Sequence, residues 1–218
     1  MWKKDIEIMA HLHERFNFQG PLLDAGGLEK PCIADYEVSA QKAHRISTLV
    51  NGQSRNIVVP HANQIDRYVN IARPWSFIDP NYQILNPESG DPAIEDLPQR
   101  YSEAFNMVML VSVLEHVIDP FVCSDALFQI LRPGGYLFTS VPFMFPIHNT
   151  RDNWRFSPDA LKTIHTKSGF EHLEGNFHVQ YHAGHGIADP ANPDISIPIL
   201  GSYAFCQKPF KKPRDYFS

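Results

Sequence analysis

The chain has little cysteine and no way to use what it has as a staple. Cys32, Cys123 and Cys206 are three residues in 218, without the spacing of a disulfide framework or a metal site. A reducing, cytoplasmic location is the expectation. No apolar stretch approaches the roughly 20 residues that a membrane helix needs. The opening MWKKDIEIMAHLHERF has lysines, but acids and histidines break any apolar signal core. Positive charge is also short. Lys and Arg number 19 against 24 Asp and Glu, a net charge of -5. The densest basic group is Lys211-Lys212 with Arg214. No phosphate-tracking surface follows from that, so neither nucleic acid nor membrane is an expected partner. No repeat and no low-complexity tract is visible.

What remains is ordinary for a globular chain, with 43% hydrophobic and 20% charged residues. The length suits one domain with a large core. Asp5 to Phe16 reads as an amphipathic helix, with Ile6, Met9, Leu12, His13 and Phe16 along one side. Pro21 to Gly27 is a short apolar strand that ends in an acid and two glycines. Glu37 to Val50 predicts a helix ended by Asn51-Gly52, and Gln64 to Ile71 another. Trp75 to Pro80 reads as a strand ending in Asp79, with Tyr82 to Leu85 a further strand. Residues 86–100 are rich in Pro, Asp and Glu and read as a loop with a turn of helix.

The strongest grammar lies between Phe105 and Pro142. Met107 to Val113 is an almost unbroken apolar run, as expected of a strand buried on both faces. Asp119-Pro120 opens a helix, with Asp as cap and Pro in the first turn. Phe121, Val122, Ala126, Leu127, Ile130 and Leu131 recur at helical spacing. Pro133-Gly134-Gly135 stops the helix, and Tyr136 to Val141 is a second buried strand. Ser157-Pro158-Asp159 starts another helix through Lys167. Phe170 to Tyr181 and Ser202 to Lys208 form a closing antiparallel pair, with a long loop between. The expected fold is α/β, a doubly wound and mostly parallel sheet with an antiparallel C-terminal edge. Ligands of such sheets bind beyond the carboxyl ends of the strands, where Ser112 to His116 falls.

The stretch from Phe105 through Val113-Leu114-Glu115-His116 to Leu131, Pro133-Gly134-Gly135, Leu137 and Pro142 resembles the class I S-adenosylmethionine-dependent methyltransferases, in particular their type 11 group. Asn106 stands where that group has Asp. The resemblance implies a Rossmann-like sheet of seven strands with the last inserted antiparallel. It also implies one domain over 1–218: an N-terminal helix over 1–19, a cofactor-binding core over 20–142, and an acceptor-side loop with the C-terminal strands over 143–218.

S-adenosylmethionine is the implied cofactor. The first strand-to-helix turn supplies Asp24, Gly26 and Gly27, although Leu28 and Lys30 replace the second and third glycines of the family's loop. The family places an acid on the ribose hydroxyls, and Asp79 is the match, since a carboxylate offers two acceptors to two adjacent donors. At the adenine end Asp91 matches the pattern from the left and Asp96 from the right. Ser112 completes the cofactor set. Each of these acids also reads as an ordinary turn or loop residue.

Methyl transfer from a sulfonium needs positioning and, for a hydroxyl acceptor, a base near neutral pKa. Histidine suits that role. His116 is one candidate, although Glu115-His116 also reads as a loop-positioning pair. His148 to Pro158 resembles the acceptor-side loop of the same group. There His148 and Asp152 are candidate bases, with Trp154 and Arg155 as acceptor-binding residues. The plainer reading makes Trp154 and Phe156 core anchors and pairs Arg155 locally. His178, His182 and His185 have helical spacing for a metal, but Gly184 and Gly186 argue against the helix, so no metal is expected. The reading is therefore O-methylation of a small polar acceptor such as a sugar. The alternatives are a scaffold protein that has lost its glycine loop, and a metal enzyme using the histidines.

Overall fold

The computed structural model describes residues 3–25, 56–58, 68–70, 78–81, 83–85, 93–145, 147, 151–179, 187–189, 192–197 and 200–210. Helix α1 (Lys3–Phe16) leads into β1 (Leu22–Ala25). Strands β2 (Asn56–Val58) and β3 (Tyr68–Asn70) form a separate antiparallel pair. Then come β4 (Gln83–Leu85), a 3-10 helix (Ile94–Gln99), β5 (Phe105–Val111), α2 (Pro120–Ile130) and β6 (Leu131–Met144). Helix α3 (Pro158–Lys167) and β7 (Glu171–Val179) follow. A small ribbon of β8 (Ile187–Asp189) and β9 (Asn192–Ile197) precedes β10 (Leu200–Gln207).

Six strands make the main sheet, in the order β4-β1-β5-β6-β10-β7. β1 pairs parallel with β4 and β5, and β5 parallel with β6. β10 alone runs against its neighbours, β6 on one side and β7 on the other. The reversed strand therefore lies one place in from the edge, which is β7. Among the described residues the sheet has six strands where seven were expected.

The sheet separates two apolar layers. Val108, Leu110, Leu137 and Val141 pack with α2 and α3 residues such as Leu127, Ile130, Leu161 and Ile164. The alternate residues Met107, Met109, Val111 and Phe138 pack under Ile6, Met9 and Leu12 of α1. That two-sided alternation explains the unbroken apolar run of β5. Asp119 Oδ1 accepts from the Phe121 and Val122 amides at 2.9 and 3.2 Å, which starts α2. Lys208 Nζ donates to the carbonyls of Phe128 and Leu131 at the far end of that helix. Pro133-Gly134-Gly135 lies in a register break between β5 and β6, where Gly134 takes φ 81°. That φ lies in the left-handed region that favours glycine, so the turn needs Gly134.

Several sequence expectations need correction. Residues 78–81 form a turn, not the end of a strand over Trp75 to Pro80. Asp79 Oδ1 accepts from the Asn81 amide at 2.9 Å, a side-chain turn of the Asx kind. The second strand of the sheet is instead β4. Tyr68–Asn70 is strand rather than part of a helix over Gln64 to Ile71. The loop expected before Ser202 contains the β8–β9 ribbon. The helix expected over Glu37 to Val50 lies outside the described residues.

Candidate functional site

The chain leaves β1 toward β4 on one side and toward β5 on the other, so the topological switch point lies between β1 and β5. Open α/β sheets bind their ligands there, outside the carboxyl ends. Asp24 is near the tip of β1, level with Met109, and is buried. Ser112 caps β5 with φ 55°, a left-handed conformation that costs a non-glycine residue about 1–2 kcal/mol. Its amide donates to the Ser140 carbonyl at 2.8 Å, and its buried Oγ has no hydrogen-bonding partner. A strained residue with an orphaned hydroxyl at a switch point is a functional-site signal.

Beyond Ser112 two loops are zipped together. The Glu115 carbonyl accepts from the amides of Asn153 and Trp154 at 2.8 and 3.2 Å, and Trp154 Nε1 donates to the Val117 carbonyl at 2.9 Å. His116 Nδ1 lies 3.0 Å from the Arg151 carbonyl, which fixes the proton on Nδ1. Its Nε2 then faces Glu115 Oε1 at 3.6 Å. Asp152 is held by the Arg155 guanidinium on both oxygens, and Arg155 also donates to the Trp154 and Phe145 carbonyls. Glu115 is fully buried beside this pair, and neither of its oxygens has a hydrogen-bonding partner. Burial pushes its carboxyl up to about 8; Asp152 adds to the rise and Arg155 opposes it. One guanidinium neutralises one carboxylate, so the second keeps its proton at neutral pH.

The expected site residues therefore separate. Asp24, Ser112, His116 and Asp152 come to the carboxyl edge of the sheet or its zipped loops, and Trp154 and Arg155 with them. Trp154 is partly exposed and stacks near Phe156 at 5.9 Å. Arg155 and Asp152 bond to each other, and Arg155 also bonds to the loop backbone. Asp79 is at the wrong end: its Oδ2 accepts from the amide of Leu22, the first residue of β1, at 3.1 Å. That is the amino edge of the sheet, opposite the switch point. Asp96 is exposed on the 3-10 helix, with Oδ1 taking Gln99 Nε2 at 3.3 Å. Gly26, Gly27, Asp91 and His148 lie outside the described residues, as do Leu28, Lys30, His182 and His185.

A polar cluster that sequence reasoning missed sits beside Ser112, on the α1 face. Ser140 Oγ donates to Asp5 Oδ1 at 2.5 Å and lies 3.2 Å from His178 Nε2. Asp5, Ser140 and His178 are all buried, and His178 Nδ1 has no hydrogen-bonding partner. Burial lowers the His178 pKa from its ordinary value; Asp5 opposes this and Lys4 adds to it. One signal was available. Asp5 is in register with Met9, Leu12 and Phe16 on the apolar stripe of α1, where a charge needs a reason. Glu115 gave none, because its burial is a tertiary property. Among the described residues no three His, Cys, Asp or Glu side chains gather to hold a metal, and no helix is long and apolar enough to cross a membrane.

The strand order with a single reversed strand is that of the class I methyltransferase fold. A chain in the complex of the Haloferax volcanii Trm112 methyltransferase activator with a methyltransferase superposes with a TM-score of 0.54 at 14% identity, over 93% of this chain and 89% of that one. The [4+2]-cyclase SpnF superposes with a TM-score of 0.51 at 15% identity, over 94% and 81%. The likeness is one of fold. No family model matches the sequence, and no curated protein does either.

Proposed function

We propose that this chain is an S-adenosylmethionine-dependent methyltransferase acting on a hydroxyl of a small polar acceptor, a sugar or related metabolite. The observation that carries this is the switch point itself. It opens between a buried acid, Asp24, and a strained serine with an orphaned hydroxyl, Ser112, in a sheet of the methyltransferase order. Those two residues fit the polar end of the cofactor, and Gly26 and Gly27 follow Asp24 directly. When bound, the cofactor supplies a methyl group already activated on a sulfonium. The chain's own task is then to orient the acceptor and take its proton. The zipped loops give the site a rigid rim, with partly exposed Trp154 and exposed Ile118 as apolar surface at its edge.

S-adenosylhomocysteine is the direct probe. Calorimetric titration is expected to give one site per chain, and Ser112→Ala or Asp24→Ala is expected to weaken it by about tenfold, the worth of about one hydrogen bond to the ligand. Labelled methyl transfer to a panel of sugars and polyols then reads the reaction. A protein that binds the probe without transferring methyl would point to a different use of the same fold, as the cyclase name of one fold relative illustrates.

A further inference from the structure

The two loops of the rim are joined through Glu115. Its carbonyl takes the amides of Asn153 and Trp154, and its side chain is fully buried beside the Asp152–Arg155 pair. The groups around that carboxyl set its state. Arg155 carries four N–H groups on its two terminal nitrogens. They go to the two Asp152 oxygens and to the Trp154 and Phe145 carbonyls, and neither Glu115 oxygen has a hydrogen-bonding partner. On the other side, His116 gives its Nδ1 proton to the Arg151 carbonyl. The nitrogen that faces Glu115 Oε1 at 3.6 Å is therefore Nε2 with its lone pair. A carboxylic acid can turn its proton toward that lone pair, whereas a carboxylate would set acceptor against acceptor.

We propose that Glu115, held as the neutral acid, is the positioning residue that keeps the acceptor-side rim closed, and that its deprotonation parts the two loops. The loop lock needs only the contacts above; its bearing on an acceptor rests on the transferase reading. When the loops part, the acid gives its proton to solvent and water hydrates the carboxylate, which the closed rim cannot do for a fully buried group. The charged or titratable groups facing it are His116 on its own loop, Asp152 and Arg155 on the second loop, and the amino-terminal charge. Burial is the largest cause of the raised carboxyl value of about 8. Its own amide opposes the rise, Asp152 adds to it, and the amino-terminal charge and Arg155 oppose it. The open rim has the ordinary value of 4.5. Between those values the closed rim holds a proton that the open rim has released. Closure is therefore strongest below about pH 4.5 and weakens by up to about tenfold per unit as pH rises to 8.

Hydrogen exchange of the Asn153 and Trp154 amides, taken relative to intrinsic rates, reads the lock directly. In the wild-type chain both are expected to exchange ahead of the β5 amides, with protection falling by up to about tenfold per unit from pH 6 to 8. Glu115→Gln puts a group that does not titrate in the place of the neutral acid, so its protection is expected to change by no more than about threefold over that range. The KM for whichever sugar or polyol is methylated is expected to rise by about threefold or more from pH 6.5 to 8.5 in the wild type and to stay within about twofold in Glu115→Gln. If that variant does not fold, carbon NMR of the wild-type Glu115 carboxyl is expected to show titration near 8. A carboxyl that titrates near 4.5, exchange of the two amides in step with those of β5, or the same pH course in both chains overturns the role of Glu115. A wild-type chain that shows the pH-dependent lock but neither binds S-adenosylhomocysteine nor methylates the panel overturns the transferase reading, and with it the link to an acceptor, while bearing out the lock.

Discussion

Glu115 and His165 set opposite pH limits. The Glu115 carboxyl has an ordinary value of 4.5 and a folded value of about 8. Between those values the folded chain holds a proton that the unfolded chain has released. Stability from this group is therefore full below about pH 4.5 and is lost as pH rises through 8, by up to about 1.4 kcal/mol per pH unit. Glu115→Gln keeps the shape of the neutral acid and removes the titration. Its melting temperature is expected to fall less than that of the wild type between pH 6 and 9, and parallel curves would show that Glu115 is ionised in the folded chain. His165 behaves in reverse. Buried between α2 and α3, with Nδ1 3.0 Å from Ser124 Oγ, it has a pKa pushed down to about 3. Its folded form stays neutral while the unfolded ring takes a proton below about 6.5, so stability drains away as pH falls from 6.5 toward 3. Proton NMR should show the His165 ring untitrated from pH 8 to 5, where an exposed histidine completes most of its change.

At the scale of elements, Asp79 separates two accounts of the site. Its carboxylate ties the Leu22 amide to the turn before β4, at the amino edge of the sheet. Asp79→Ala is expected to lower stability by about 1–2 kcal/mol, the usual cost of a partly buried acceptor with two backbone partners. It should leave S-adenosylhomocysteine affinity unchanged. A large loss of affinity with an unchanged melting temperature would restore the ribose role. The elements that sequence reading recovered were those whose signals are local. Asp119-Pro120 and Ser157-Pro158 announce their helices, and the Ser157 hydroxyl does accept from the Ala160 amide at 3.2 Å. The apolar run of Met107 to Val113 has no other use than a buried strand. The misreadings came where local signals competed. Trp75 to Ile78 is apolar enough for a strand, but Asp79 bonding its own backbone makes residues 78–81 a turn. Pro193 inside β9 hid that strand, because proline is a poor ladder member. Of the site, the rim Ser112–Leu114–Glu115–His116 was legible from its place after a buried strand. Asp5 and His178 were not legible as a pair, since only the packing of α1 across β6 and β7 brings the two ends of the chain together.

At the scale of the molecule, the described residues form a sheet with α1 packed on one face and α2 with α3 on the other, and the two apolar layers share strands β1, β5, β6 and β10. Each of those strands contributes side chains to both layers, so neither layer can melt while the other stays folded. α1 is fastened at both ends as well: Asp5 meets Ser140 near its start, and Arg15 pairs with Glu174 near its finish, where Glu174 also accepts from the Tyr203 hydroxyl at 2.7 Å. Unfolding is therefore expected as one cooperative transition, with helical and near-ultraviolet signals coincident. A ligand that binds only the folded sheet must raise that single transition by mass action. At a free S-adenosylhomocysteine concentration of about 100 times its dissociation constant the gain is about 2.7 kcal/mol, and for a chain of this size each kcal/mol moves the midpoint by about 2–4 °C. The expected rise is thus about 5–11 °C, for the α1 signal and the sheet signal alike. A rise confined to one signal would mean that α1 is not part of the cooperative unit that binds the ligand.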